Sequence, residues 1–158
     1  MTLARRFGER GEWWVAAQGV LLVTAMIAPK KGQAWSPGWR RAGRVVGLPL
    51  AVAGVGLTVA AFRDLGENLT PLPHPKDDAT LVQDGVYAIV RHPIYSGVIL
   101  TTLGAGLLTA NRTRTLLGLV FFAFFDAKAR REEAWLTEKF PAYPAYRRSV
   151  KKLIPFVY

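Results

Sequence analysis

The sequence predicts an all-α integral membrane protein with four transmembrane helices and a polar pocket on its cytoplasmic side. Two long segments carry no charged residue, a third follows a polar loop, and a fourth runs on into a charged helix. Of the 158 residues, 51% are hydrophobic, and the chain length suits one domain. The prediction is therefore a single membrane domain over residues 1–158.

The first two predicted spans are residues 13–29 (WWVAAQGVLLVTAMIAP) and 45–62 (VVGLPLAVAGVGLTVAAF). Neither contains a charge, and each approaches the roughly 20 residues that a helix needs to cross the hydrocarbon core. The GVG at 54–56 lacks the strand and turn of a dinucleotide site, so its predicted role is close helix packing. Residues 1–62 are thus predicted to form two N-terminal spans.

A polar loop of about thirty residues follows and ends at the sequence Arg91-His92-Pro93. Its prolines at positions 71, 73 and 75 exclude a continuous helix. A loop of this length in a small protein is usually functional when it is ordered. The apolar runs TLV and GVYAIV within it predict that it is ordered and packs on another element.

The third predicted span, residues 93–111, begins directly after His92. Pro93 has no amide hydrogen and suits the first helical turn, which places His92 near the N-cap. Two roles are open for His92: holding the loop by hydrogen bonds, or acting directly in catalysis. By themselves, Tyr87 and Tyr95 would fit an aromatic belt at the membrane interface.

The fourth predicted span, residues 115–125, has about half the required length. From Asp126 the helical pattern continues without Gly or Pro until residue 141, which predicts one long helix whose far end leaves the lipid. Lys128 and Glu132 are four residues apart and share a helical face, with Glu133 beside them. An exposed ion pair is the ordinary explanation, but charges directly after an apolar segment favour a polar pocket.

The distribution of basic residues predicts how the chain is oriented across the membrane. With four spans, 14 Lys and Arg lie on the side of the N-terminus, the middle loop and the C-terminal tail, against 7 on the other side. The positive-inside rule places both termini and the middle loop in the cytoplasm. The net charge of +10 is then explained by topology and by attraction to anionic lipids, so no nucleic-acid partner is predicted.

Several classes of site are excluded or not predicted. The chain has no cysteine, which rules out disulfides, thiolate zinc sites and cysteine nucleophiles, and its 2 histidines do not predict a metal site. G-x-S-x-G, H-E-x-x-H and P-loop patterns are absent. The sequence therefore predicts neither a hydrolase nor a nucleotide-hydrolysing enzyme.

One combination of motifs points to a family. LVQDGVYAIVRHPIYSG, a helical hairpin, and REEAWLTEKFPAYPAYRRSVKKLIPF follow one another over residues 63–158. These motifs and their order resemble those of the isoprenylcysteine carboxyl methyltransferase family and its phospholipid methyltransferase relatives. The resemblance implies a membrane methyltransferase core at 63–158 that uses S-adenosylmethionine, as in short bacterial members, and thus a bacterial inner-membrane location.

The resemblance also implies site residues. The cofactor pocket would be lined by Leu81, Val82, Tyr87, Arg91, His92, Pro93, Ile94, Tyr95, Glu132 and Glu133. Arg91 at the helix start would receive the cofactor carboxylate. The catalytic candidates are Tyr95, Lys128 and Arg131, the last two as groups that orient an acidic head group. Lys128 stands where the prenylcysteine enzymes have a substrate-contacting arginine, and lysine lacks the bidentate fork that binds a carboxylate.

The predicted function is methyl transfer from S-adenosylmethionine to a lipophilic small molecule, with an isoprenylcysteine-like carboxylate as one acceptor. Aligning donor and acceptor can supply most of the rate enhancement, so no catalytic triad is needed. A phospholipid amine and a small thiol are alternative acceptors. A membrane scaffold protein is the alternative outside enzymes. The predicted partners are the bilayer and the lipophilic substrate.

Overall fold

The computed structural model describes residues 8–29 and 35–158. Within these ranges there are five α-helices: α1 Glu12–Ile27, α2 Pro37–Leu65, α3 Pro93–Leu108, α4 Arg112–Lys139 and α5 Tyr143–Ser149. Two short 3₁₀ turns, Gly66–Asn68 and Gly85–Ala88, flank the middle loop. The described residues contain no strand, which confirms the all-α prediction for them. Arg5, Arg6, Lys30 and Lys31, which contribute to the orientation argument, lie outside the described residues.

The second helix begins eight residues before the predicted span. Ser36 is its N-cap, with the hydroxyl oxygen accepting from the Trp39 amide at 3.5 Å, and Pro37 occupies the first helical turn. Both are strong start signals, which explains why the helix extends beyond the apolar core of the segment. It ends at Gly66, whose φ of +51° suits glycine.

Helices α3 and α4 form the predicted hairpin. Pro93 opens α3 after His92 at the N-cap, as predicted, and α3 ends at residue 108 rather than 111. The difference arises because Asn111 caps the next helix, with its side-chain oxygen accepting from the Arg114 amide at 3.2 Å. The fourth helix runs unbroken to Lys139, which confirms the prediction of one long helix.

Glycines bring α2 and α3 into backbone contact. A Cβ on Gly54 would lie 2.5 Å from the Thr101 amide nitrogen and 2.7 Å from the Gly97 carbonyl oxygen. Only glycine allows two helices to approach this closely. The structure therefore confirms close packing at Gly54. A Cβ added to Gly56 of the same motif would have no such neighbour within 4 Å.

One helix of the described residues, Pro37–Asn68 including its terminal 3₁₀ turn, is long and apolar enough to cross a membrane. Helices α1 and α3 are apolar but have 16 residues each. Large apolar side chains are exposed along α2, where Val52 is 63% exposed, and along α4, where Leu116 is 61% exposed. Contiguous exposed apolar surface of this kind marks a membrane or an interaction site.

The middle loop packs against the helices, as predicted. Its Asn68 side chain accepts from the Thr80 amide at 2.8 Å, and Lys139 of α4 donates to the Asp77 carbonyl at 2.9 Å. After α5 the chain returns to the start of α3, where the Arg91 amide donates to the Lys151 carbonyl at 2.8 Å. The loop, α4 and the C-terminal segment thus converge at residues 91–93.

Candidate functional site

Two adjoining cavities lie where these elements converge. The loop cavity, between the middle loop, α4 and α5, has about 630 Å³ of space including its open mouth. The helix cavity, between α1, α2, α3 and α4, has about 820 Å³. Much of this space opens to the surface, and the space that the centre of a water molecule can occupy is about 90 Å³ in the loop cavity and about 290 Å³ in the helix cavity. They share a wall made of Leu65, Thr70, Tyr87, Arg91, His92 and Glu132.

The loop cavity combines apolar and polar lining. The apolar side comes from the loop residues Leu81 and Val82 and from Leu136 and Phe140 at the end of α4. The Tyr143 hydroxyl, from α5, is buried and has no hydrogen-bond partner among the described residues. A buried hydroxyl without a partner is costly, so this position suits a polar ligand atom.

The helix cavity has a different lining. Gln18 of α1 and Phe62 of α2 face Ile94 and Tyr95 of α3 across it, and Lys128 of α4 completes the lining. It lies among the helices that expose apolar surface, whereas the loop cavity lies among the polar loop and α5.

Arg91 is held firmly in the shared wall. Its Nε and Nη2 donate to Glu133 Oε1 at 2.9 and 2.7 Å, and its Nη1 donates to the carbonyls of Arg147, at 3.1 Å, and Val150. Four of the five N–H donors of the guanidinium are thus used within the protein. Arg91 therefore fixes the loop, the C-terminal segment and α4 to one another.

His92, Tyr95 and Glu132 form a second group in the wall. The Tyr95 hydroxyl donates to Glu132 Oε2 at 2.6 Å, and His92 Nδ1 lies 3.8 Å from the same oxygen. The rings of His92 and Tyr95 are stacked with their centroids 5.2 Å apart. His92 Nε2 lies within hydrogen-bond distance of Glu133 Oε1, at 3.2 Å, whereas its 3.8 Å separation from Glu132 is too long for a hydrogen bond.

Lys128 is buried without a carboxylate partner. Its Nζ donates to Gln18 Oε1 at 2.5 Å and to the Pro71 carbonyl at 3.1 Å, and it lies 5.2 Å from the centre of the Tyr95 ring. Among the described residues it makes no ion pair within 4 Å, so the exposed Lys128–Glu132 pair is not formed. Burial lowers the pKa of Lys128, and the nearby Glu132 charge opposes that shift.

The charges of the wall are set by these contacts. Burial by itself raises the pKa of Glu133, but the hydrogen bonds and charges of His92 and Arg91 lower it to about 2. Burial raises the pKa of the Tyr87 hydroxyl, and the Glu132 charge adds to the effect. Glu133 is therefore a carboxylate at neutral pH, and Tyr87 is a neutral hydroxyl.

The structure brings most of the predicted site residues to the two cavities. Leu81 and Val82 line the loop cavity; Pro93, Ile94, Tyr95 and Lys128 line the helix cavity; Tyr87, Arg91, His92 and Glu132 line both. Two predicted residues lie elsewhere. Glu133 is behind the shared wall, and Arg131 projects outward with its guanidinium 4.3 Å from the Trp135 ring centre.

Sequence reasoning missed several lining residues. Tyr143 and Tyr146 belong to the Y-x-x-Y motif, yet the motif alone gave them no role. The structure gives one to Tyr146, whose hydroxyl donates to the Tyr87 carbonyl at 2.6 Å. Gln18 had no signal at all, because it lies within the uncharged segment 13–29, 110 positions from Lys128.

Sequence comparison agrees with this architecture. The profile of the family described as phospholipid methyltransferase matches residues 42–142, which include most of α2, the loop, α3, α4 and most of the cavity lining. This chain belongs to the phospholipid methyltransferase family. The match covers well over half of the chain.

Individual members of the family show the predicted resemblance to isoprenylcysteine carboxyl methyltransferases. The chain is 43% identical over 82 residues to protein-S-isoprenylcysteine O-methyltransferase of Schizosaccharomyces pombe, covering 51% of this chain and 35% of the relative. It is 28% identical over 140 residues to a probable protein-S-isoprenylcysteine O-methyltransferase of Oryza sativa subsp. indica, covering 86% and 70%. The chain therefore spans between about a third and 70% of the length of these relatives.

A solved structure has the same fold. The eukaryotic intramembrane Ras methyltransferase, isoprenylcysteine carboxyl methyltransferase, superposes with a TM-score of 0.65 at 23% identity. The likeness covers 98% of this chain and 55% of that one. The chain thus shares this fold across almost its whole length.

Proposed function

We propose that this chain is a membrane-embedded methyltransferase that uses S-adenosylmethionine to methylate a lipophilic acceptor. The observation that carries the proposal is the pair of cavities with one shared polar wall. Methyl transfer requires two molecules to be bound side by side with donor and acceptor in line, and such positioning can supply most of the rate enhancement. Two contiguous cavities meet that requirement.

The loop cavity fits the methyl donor. S-adenosylmethionine has an adenine ring, which suits the apolar side formed by Leu81, Val82 and Phe140. Its ammonium and sulfonium charges suit the Glu132 carboxylate in the shared wall. The buried Tyr143 hydroxyl offers a hydrogen bond that no described protein group takes. When bound, the donor supplies an electrophilic methyl group.

The wall residues do not have equal roles in this proposal. Arg91 holds the wall together, since four of its five N–H donors are used within the protein. Glu133 contacts neither cavity and acts as a positioning residue for Arg91 and His92. Tyr95 fixes the Glu132 carboxylate and separates it from Lys128.

The helix cavity is the proposed acceptor site. Its location among α1, α2, α3 and α4 gives a lipophilic tail access from the bilayer, whereas the loop cavity is reached from water. Lys128 favours an acceptor with an acidic head group, because it is a buried ammonium that lacks a carboxylate partner. An isoprenylcysteine-like carboxylate has both a lipophilic tail and an acidic head group. It also belongs to the substrate class for which the relatives are named.

The membrane position belongs to the same proposal. Four helices span the bilayer as one domain, with the methyltransferase core at residues 63–158 and with both termini and the middle loop in the cytoplasm of a bacterial cell. The long apolar α2 and the exposed apolar side chains of α2 and α4 support it. A cytoplasmic loop cavity is also what a water-soluble methyl donor requires.

Calorimetry tests the donor. Purified protein in detergent should bind S-adenosylmethionine and its demethylated product, S-adenosylhomocysteine, at one site. If neither binds, the methyltransferase proposal is wrong and the membrane scaffold alternative takes its place.

A second experiment identifies the acceptor. Methyl-labelled S-adenosylmethionine is incubated with the protein and a farnesylated cysteine, a phosphatidylethanolamine or a small thiol, and labelled products are separated. We expect label in the farnesylcysteine carboxylate. Label in the phospholipid amine or the thiol instead would replace the acceptor while leaving the donor assignment in place.

A further inference from the structure

The C-terminal segment after α5 folds into a compact hook with an exposed apolar tip. Leu153 is its buried anchor, 3% exposed and packed with Phe121, Phe125 and Ile99. The chain then turns at Phe156, and the Tyr158 carbonyl accepts from the Leu153 amide at 2.7 Å. Phe156 is 84% exposed and the next residue is 71% exposed. The hook therefore presents two large apolar side chains outward.

Basic side chains surround this tip. A depression beside it is lined by Arg91, Arg130, Arg147, Lys151, Lys152, Glu133, Val157 and Tyr158. Two carboxylates pair with four of these five cations: Asp126 with Arg130 and Lys152, and Glu133 with Arg91 and Arg147. Lys151 is exposed and makes no ion pair within 4 Å among the described residues. The surface thus keeps an excess of positive charge.

The hook lies at the level where α4 passes from apolar to charged residues. Tyr158 contacts Phe122 with ring centres 6.1 Å apart, and its hydroxyl donates to Asp126 Oδ1 at 2.9 Å. Asp126 is the first charge after the apolar segment of α4. Leu119, one turn before Phe122 on the same helical face, is 58% exposed. In the proposed membrane position this is the boundary between lipid tails and head groups.

We propose that this hook docks on the cytoplasmic leaflet, with Phe156 and Val157 inserted at the boundary of the lipid tails and the surrounding cations bound to anionic lipid head groups. Apolar side chains flanked by Lys and Arg are the combination that binds anionic bilayer surfaces. The proposal rests on the membrane position given above, and it adds a lipid site on the outer side of the shared wall, where Arg91 borders the depression as well as both cavities.

Site-directed labelling can test the insertion, because the chain has no cysteine. Val157→Cys carries an environment-sensitive fluorophore, and the full chain is reconstituted in vesicles of phosphatidylcholine alone or mixed equally with phosphatidylglycerol. Val52→Cys, on the exposed face of α2, is the membrane-embedded control, and Asp78→Cys, in the exposed loop, is the aqueous control. Brominated lipids then quench whichever fluorophores they contact.

We expect quenching at positions 157 and 52 but not at position 78. Brominated phosphatidylglycerol should quench position 157 more strongly than brominated phosphatidylcholine. Lys151→Gln should reduce that preference about fivefold, the effect of one charge near an anionic surface. Arg41→Gln, an equal charge change at the exposed start of α2, should leave it unchanged.

Other outcomes overturn the inference in distinguishable ways. Quenching at position 52 without quenching at 157 means that the hook faces water, where an acidic protein is the alternative partner. Equal quenching at position 157 by both lipids, with no effect of Lys151→Gln, would show that the cations do not bind anionic head groups. If position 52 is not quenched either, the membrane position in the proposed function is itself wrong.

Discussion

Glu132 and Glu133 are adjacent in sequence but have different surroundings. Successive side chains on a helix point about 100° apart, so one carboxylate reaches the shared wall while the other lies behind it. Glu132 is a quarter exposed and has Tyr95 as its hydrogen-bond donor, whereas Glu133 is 3% exposed and pairs with Arg91. Removing one carboxylate should therefore have a different effect from removing the other.

Removing Glu132 should weaken donor binding. Glu132→Ala deletes the carboxylate that faces both cavities, and a charge-assisted hydrogen bond of this kind contributes about 1.5 to 3 kcal/mol. We expect calorimetry to show S-adenosylmethionine affinity reduced roughly 10- to 150-fold, with the thermal midpoint little changed. Glu138→Ala, at an exposed position of the same helix, is the control. Equal affinities for the two variants would take Glu132 out of the site.

Glu133 should make the free energy of unfolding depend on pH. Its pKa in the folded state, about 2, is below its usual 4.5, so the folded protein binds fewer protons than the unfolded chain. The stabilisation is complete above about pH 4.5 and is lost as the pH falls towards 2, amounting to about 2 kcal/mol after allowance for solvent screening. Thermal midpoints in detergent across this range measure it. In Glu133→Gln the drop should be absent, and a drop of the same size there would assign it to other carboxylates.

At the scale of elements, the glycine contact between α2 and α3 sets the position of the cavity walls. Gly54→Ala places a methyl group 2.5 Å from the Thr101 amide nitrogen and forces the helices apart. We expect a loss of about 1 to 3 kcal/mol, measured from the thermal unfolding midpoint. Gly56→Ala is a matched control two residues away, where the new methyl group has no neighbour within 4 Å. If both variants unfold at the same temperature, the close approach does not contribute to stability.

Helix boundaries were predictable where local chemistry decides them. Pro93 fixed the start of α3, and the absence of Gly and Pro after Asp126 fixed the continuity of α4. The contact between Gln18 and Lys128 was not predictable, since it depends on how α1 and α4 pack. The same holds for Glu133, whose partner comes from a loop 42 residues earlier in the chain. Motif resemblance named four of the six wall residues, and only tertiary packing shows which groups they contact.

At the scale of the whole molecule, the proposed topology places the middle loop and the C-terminal segment on one side of the membrane. Single cysteines at Asp78 and Ser149 should react from the cytoplasmic side with a reagent that cannot cross the bilayer. A cysteine at Thr113, at the start of α4, should react from the opposite side. The positive-inside rule gives this orientation. Reaction of Asp78→Cys and Thr113→Cys from the same side would contradict a spanning α3.

The pairing between residues 90–92 and 151–152 has a consequence for biosynthesis. The amides of Arg91 and His92 donate to the carbonyls of Lys151 and Lys152, at 2.8 and 3.1 Å. At synthesis rates of roughly 5–20 residues per second, Arg91 waits some 3 to 12 seconds for these acceptors. Helices α3 and α4 of the helix cavity are made during that interval, whereas the loop cavity stays incomplete until α5 and the C-terminal segment follow. Under the proposed function, donor binding therefore becomes possible only after translation has passed residue 152.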